Sequence, residues 1–452
     1  MAHPDPAAST ESLKTRALRS SGSLLFGFGG QNMLRLASNL ILTRLLFPEA
    51  FGLMALVQVF IVGLTTFSDI GITTSVITSS RGDERNYLNT AWTLQIIRGF
   101  GLWLLACAIS YPLAHFYEEP DLVPLLQVVG FSMVIRGFFS TKGMTAGRHL
   151  AYGRVTIIEI ASQAVGTVCM IVLAYIYQSI WALAIGTLLG GLSHTIMSHV
   201  FLPGQRNRLH WNTDDFWEIF HFGKYLFLNT IAGFFVKQGD RAVLGAYISL
   251  GLLGIYNIGM FLGSAPLLLG QRLFSSLLVP LYRMRPPAES EQNRRNMRRA
   301  RRMLIGCLLA MIAPLMFGGL WLVEALYDPR YVQAGAIVVL YAISTGPMII
   351  SEDYGNVLLA NRDSKNLLLV TLLSAVIQMG TLIVGINMLG IVGAVLAPGV
   401  TAIVTYPLRA YFANRFNAWD PIADFVFFVV FVGLSATALA FNQDMFIGIL
   451  ST

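Results

Sequence analysis

Apolar residues in this chain come in long unbroken blocks, and polar residues are largely confined to the short breaks between them. The blocks fall at 22–42, 51–77, 90–113, 122–139, 155–177, 180–202, 222–247, 252–281, 303–326, 332–359, 367–389, 391–412 and 422–441. A helix of about 20 residues crosses the ~30 Å of hydrocarbon in a bilayer, and the blocks meet or approach that length. Because lipid leaves unpaired backbone groups unsatisfied, spanning segments are helices or closed barrels. Continuous runs such as 304–326 are incompatible with the roughly ten-residue alternating strands of a barrel. The expected fold class is therefore all-α: a polytopic membrane protein with twelve core transmembrane helices in two six-helix lobes, followed by a thirteenth helix.

Composition agrees, with 55% hydrophobic and only 12% charged residues. The first block follows Lys14, Arg16 and Arg19 but contains Gln31, Asn32 and Arg35 and lacks a small-residue cleavage site, so it reads as a first span and not a signal peptide. With the N-terminus in the cytoplasm, nearly all loop cations fall inside, Arg44 and Arg330 being the exceptions, and the outside loop His115–Asp121 is acidic. That asymmetry sets the orientation by the positive-inside rule and suits the inner membrane of a bacterium.

The longest loop, 282–302, is inside and carries Arg283, Arg285, Arg294, Arg295, Arg298, Arg299, Arg301 and Arg302; it reads first as a topogenic segment that binds anionic lipid. Around Phe216, Trp217 and Phe220, a second inside stretch has the look of an interfacial helix between halves. An internal repeat at an offset of 202 supports the division, since Phe51-Gly52-Leu53-Met54 falls on Leu253-Gly254-Ile255-Tyr256 and Arg35 on Lys237. The expected organisation is a cytoplasmic tail 1–21, an N-lobe 22–202, a linker 203–221, a C-lobe 222–416, and an extra helix with its tail at 417–452.

An ionisable residue inside a span costs roughly 2.5–3.5 kcal/mol on insertion scales, so those retained need a reason. Asn32, Arg35 and Asn39 line one face of the first helix at i, i+3 and i+7, with Gln31 and Ser38 adjoining. Arg98 marks the third helix, and Lys237, Asp240 and Arg241 mark the seventh, where Lys237 and Asp240 have the spacing of an ion pair. Surrounding one hydrated cavity, these cations suit an anionic group such as a phosphate or diphosphate; the competing reading is that they bridge helices through backbone carbonyls or carboxylates. Asp69, Asp240, Arg272, Glu352 and Asp353 are candidates for ion coupling or gating, and the acids among them also suit a plain counter-ion role. Glycines at 27, 29 and 30 and in-span prolines such as Pro266, Pro314 and Pro398 permit close approach and bending.

The run Arg44-Leu45-Leu46-Phe47-Pro48-Glu49-Ala50-Phe51-Gly52, followed by Asp69-Ile70-Gly71, resembles polysaccharide transporters of the Wzx type, particularly the exopolysaccharide branch. The likeness extends over essentially the whole chain and places it in the multidrug/oligosaccharidyl-lipid/polysaccharide exporter superfamily. It implies two six-helix lobes that open alternately to either side, and flipping of an undecaprenyl-diphosphate-linked oligosaccharide repeat unit across the inner membrane for exopolysaccharide or O-antigen-type assembly. It also implies cavity cations, a role that transfers to Arg35 and Arg44, with Lys237 as the repeat partner. Longer relatives have fourteen helices, and the chain departs from them at its C-terminus.

Expected partners are the lipid-linked oligosaccharide, membrane lipids, and polysaccharide polymerase and export proteins; no nucleic acid is expected. Neither is a cofactor or metal: Cys107, Cys169 and Cys307 lie scattered in apolar runs, and the nearest histidines, His194 and His199, are spaced i, i+5. A drug or metabolite/cation antiporter of the same superfamily is the alternative, favoured by a neutral or acidic cavity. A membrane polymerase or ligase would need a large outside loop, and every outside loop is short. No phosphate loop or nucleophile elbow is present, so the chain reads as a transporter and not an enzyme.

Overall fold

The computed structural model describes residues 13–149 and 151–443; the expected N-terminal tail lies partly, and the end of the C-terminal tail wholly, outside them. The chain is built from helices: α1 (Leu13–Leu45), α2 (Pro48–Phe67), α3 (Ile72–Thr78), α4 (Arg85–Tyr117), α5 (Leu122–Gly137), α6 (Lys142–Arg148), α7 (Tyr152–Tyr177) and α8 (Trp181–Phe201). Next come α9 (Thr213–Tyr247), α10 (Leu250–Gly263), α11 (Ala265–Leu273), a π-helical turn (Phe274–Leu278), α12 (Val279–Met284), α13 (Glu291–Leu326), α14 (Ala334–Ala360), α15 (Ser364–Arg415) and α16 (Pro421–Phe441).

Among the described residues, seven helices are long and apolar enough to cross a membrane, or nine when two bent pairs each count as one. The count falls short of twelve core spans and a thirteenth for physical reasons. Helices α1 and α9 carry charge within their length, α8 carries His194 and His199 among its apolar residues, and α15 contains two spans. A straight helix of its 52 residues would be about 78 Å long. Gly390 instead adopts φ 58°, and the Thr381 and Thr401 hydroxyls meet at 3.0 Å, so the chain folds back on itself there, in the one-residue break predicted between 389 and 391. The last helix, α16, passes the same length and composition test.

Two expected spans are broken. The block 51–77 splits where Asp69 Oδ1 accepts the Gly71 N–H at 3.0 Å and Gly71 takes φ 67°, an Asx turn that ends α2 and starts α3. The block 252–281 bends by 46° between α10 and α11, where Pro266 stands in the first turn of the new helix.

The chain forms two compact units, residues 1–46 with 60–227, and 47–59 with 228–452. One boundary falls inside α2, between 59 and 60, and another inside the single continuous helix α9, which joins the expected interfacial helix and seventh span without interruption. In the first unit α7 packs against α1 and α8, and α5 against α4 and α8. Small residues set the α7–α8 distance: a Cβ on Gly186 would lie 2.1 Å from Met170 Cγ. The loop after α3 is stitched to the start of α9, since Arg81 meets buried Asp215 at 2.7 Å, Glu84 at 3.0 Å and Glu218 at 3.4 Å. Hydrogen bonding to Asp215 and then to Glu84 holds the Arg81 guanidinium above its ordinary pKa. Arg148 and His149 close on Asp83 at 2.8 and 2.9 Å from the other side.

The second unit is organised around α14, which is enclosed along nearly its whole length by α10, α13, α15 and α16. Residues 47–59 join this unit through the repeat glycines themselves. A Cβ on Gly52 would lie 1.9 Å from the Leu250 carbonyl oxygen, and one on Gly254 2.0 Å from that of Pro48. The two sequence-equivalent glycines thus form one backbone-to-backbone crossing of α2 on α10. The matched motif also seats aromatic side chains: Phe51 meets Tyr331 edge-on at 5.9 Å, and the Arg330 guanidinium lies 4.7 Å from the Phe47 ring.

Candidate functional site

In the first unit, the polar stripe of α1 lies along α7. Gln31 Nε2 donates to Glu159 Oε2 at 2.9 Å, and Gln163 Nε2 donates back to the Gln31 carbonyl at 3.0 Å. Asn32 turns its amide to the Phe28 carbonyl of its own helix at 2.8 Å, while the Asn39 carbonyl accepts the Thr43 hydroxyl at 2.8 Å. Arg35 and Arg44 have exposed side chains on this helix. Arg98 is placed differently: its Nε donates to Ser68 Oγ at 3.1 Å and its Nη2 to the Thr65 carbonyl. A cation there satisfies the carbonyl end of α2, tying α4 to α2 as a helix-bridging arginine does. Asp69 occupies its turn beside this staple.

In the second unit, Lys237 is exposed on α9, and Arg241 Nη1 donates to Gln238 Oε1 at 2.6 Å. Asp240 is buried and accepts the Tyr256 hydroxyl at 2.7 Å; no ion pair joins it to Lys237 among the described residues, so the spacing of a pair is occupied by a different bond. Arg272 is exposed on α11, and Glu352 is half-buried on α14. Of the candidate cations, Arg35, Arg44, Lys237 and Arg272 are exposed. A guanidinium in this setting presents paired donors to phosphate oxygens, whereas an ammonium acts as a point charge.

A second constellation was not singled out from the residues. Arg301 is 1% exposed and meets Asp424 Oδ1 of α16 at 2.6 Å. Its Nη2 donates to the Ile350 carbonyl at 2.7 Å, and its guanidinium lies 4.5 Å from the centre of the Tyr354 ring. Asp424 Oδ2 accepts the hydroxyls of Tyr354 and, at 2.7 Å, Tyr406. Nearby Arg302 holds Asp420 through two bonds of 2.7 and 2.9 Å, and Arg298 donates to the Trp419 carbonyl at 2.6 Å. Part of the arginine-rich segment read as lipid-binding is thus bound to the last helix. The available signal was Asp420 and Asp424 at i, i+4 at the head of α16, on the side of the membrane where the arginines were expected.

Helices throughout the described residues, seven to nine of them long and apolar enough to cross a membrane, define a multi-pass membrane protein. A family model described as "Polysaccharide biosynthesis protein" matches residues 41–335, more than half the chain, and the chain belongs to that family. Its relatives include the lipopolysaccharide biosynthesis protein WzxC of Escherichia coli, 21% identical over 54% of this chain and 49% of that protein. The succinoglycan biosynthesis transport protein ExoT of Rhizobium meliloti is 20% identical over 68% of this chain and 61% of its own length. The teichuronic acid biosynthesis protein TuaB of Bacillus subtilis is 22% identical over 70% and 67%. The matches thus span about half to two thirds of these relatives. Among solved structures, the lipid II flippase MurJ superposes with a TM-score of 0.69 at 13% identity, covering 96% of this chain and 98% of MurJ. An inward-facing MATE-family multidrug transporter of the MOP superfamily gives 0.65 at 13% identity, covering 90% and 96%. At these identities the structural likeness establishes the fold. Of these, ExoT is a transport protein, MurJ a lipid II flippase and the MATE-family protein a multidrug transporter.

Proposed function

We propose that the chain flips an undecaprenyl-diphosphate-linked oligosaccharide repeat unit from the cytoplasmic to the periplasmic leaflet of a bacterial inner membrane. The N-terminus lies in the cytoplasm, and the two units alternate access around the diphosphate, which Arg35 and Lys237 hold with help from Arg44 and Arg241. Asn32 and Asn39 supply hydrogen bonds to the sugar end, and Asp69, Asp240, Arg272, Glu352 and Asp353 serve coupling or gating. The product feeds a polymerase and export machinery for exopolysaccharide or O-antigen-type chains. Support comes chiefly from the exposed position of Arg35 on the polar stripe of α1, in a member of a polysaccharide biosynthesis family.

In a deletion strain, lipid-extractable diphosphate-linked repeat units are expected to accumulate, and the wild-type chain to clear them. Arg35→Ala at matched membrane abundance should abolish clearance, while Arg35→Lys, which keeps the charge without the fork, should retain part of it. Full clearance by the alanine variant would remove Arg35 from the mechanism. A deletion strain with no accumulation but with new drug sensitivity would favour the antiporter.

A further inference from the structure

The buried cluster at the head of α16 has one carboxylate more than its cation can serve. Arg301, Asp353 and Asp424 are at most 1% exposed, so water does not screen their charges. Asp424 is saturated, taking Arg301 Nη1 on one oxygen and two tyrosine hydroxyls on the other. Asp353 is not. Its Oδ2 accepts the Tyr282 hydroxyl at 2.7 Å and makes only a long ion pair of 3.6 Å with Arg301 Nε, while its Oδ1 has no hydrogen-bond partner.

The other charges nearby are already engaged. Arg302 and Arg298 face Asp420 and the Trp419 carbonyl, and Arg409 interacts with Glu352, the residue before Asp353. With both acids ionised, the enclosed group would carry one uncompensated negative charge, among the costliest states a protein interior can hold. We infer that Asp353 is a binding site for a single proton, carried on the carboxyl that Arg301 holds the more weakly of the two, in the cluster that Asp424 of α16 completes.

The local architecture suits exchange of that proton. Tyr282, the one hydroxyl bonded to Asp353, lies just beyond the π-helical turn Phe274–Leu278. Such a turn inserts one residue into the helix and rotates the downstream helix by roughly 100°. The contact therefore depends on a segment that can revert to regular α-helix, withdrawing the hydroxyl and changing the environment of the carboxyl. This inference concerns the second unit alone and does not depend on what the transporter carries.

The test is infrared spectroscopy of the purified full-length chain in lipid nanodiscs at neutral pH, reading the C=O stretch of protonated carboxyl groups and its shift in D2O. Wild type should show a band that disappears in Asp353→Asn, an isostere of the neutral acid that should fold. Tyr282→Phe, which removes only the donor to Oδ2, should move that band to higher frequency. Persistence of an unchanged band in Asp353→Asn, absence of the band from wild type, or indifference to Tyr282→Phe would each overturn the proposal. Repeating the measurement in sodium and in choline chloride at fixed pH addresses the other small cation. The band should be the same in both, and its loss in sodium would overturn the proton assignment in favour of a sodium site.

Discussion

Arg301 and Arg35 are both arginines in or beside apolar runs, yet their surroundings give them opposite tasks. Arg301 is enclosed and paired, so removing one partner leaves the other charged and buried, a loss of about 3–5 kcal/mol. Arg301→Gln and Asp424→Asn should each sharply lower the detergent melting temperature followed by size-exclusion fluorescence. Arg301→Met with Asp424→Leu, which removes both charges, should recover much of it; equal losses in the single and double variants would mean the pair is not coupled. Asp420 adds a pH dependence of known sign. Burial raises its pKa, but the two Arg302 bonds and that charge outweigh burial and hold the carboxyl below the usual range. A depressed carboxylate contributes stability above its unfolded pKa and loses it as pH falls through the folded value. The Arg302–Asp420 contribution should therefore be intact at neutral pH and vanish only in strong acid, and Asp420→Asn should flatten the acid limb of the melting curve. None of these pairings was readable from the sequence, because a helix pattern ranks residues by polarity and does not say which distant carboxylate a cation meets.

Helix boundaries were far more legible than helix partners. The reversal at Gly390 coincides with a one-residue gap between apolar blocks, since only a residue tolerant of positive φ permits so tight a turn there. The break at Gly71 was hidden, because the sequence 51–77 stays apolar on average while Asp69 quietly terminates α2. The repeat glycines were legible as a pattern but not as a contact. Their Cβ positions, within about 2 Å of carbonyl oxygens across the crossing, predict that Gly52→Val or Gly254→Val separates α2 from α10. Each should reduce the yield of monodisperse protein severely, whereas Gly233→Val on α9, where a Cβ has open space, should not. Equal yields from all three would show that the crossing tolerates bulk.

For the chain as a whole, orientation rests on the distribution of loop cations. In a variant with Cys107, Cys169 and Cys307 replaced by serine, Asp121→Cys should react with a membrane-impermeant maleimide in intact spheroplasts, and Glu289→Cys only after permeabilisation. The reverse pattern would invert the topology. Composition and block length were sufficient for the class of protein, because bilayer thickness and the need to satisfy backbone groups act on each segment locally, without reference to its neighbours. The motif at Arg44–Gly52 was sufficient for the family for the same reason: it is contiguous. Three-dimensional packing was needed to show that Arg98 staples α4 to α2, that residues 47–59 belong with the second unit, and that α16 completes a buried charge cluster. Those facts depend on atoms tens to hundreds of residues apart, and the energy of burying a charge is set by whichever side chains the fold brings around it.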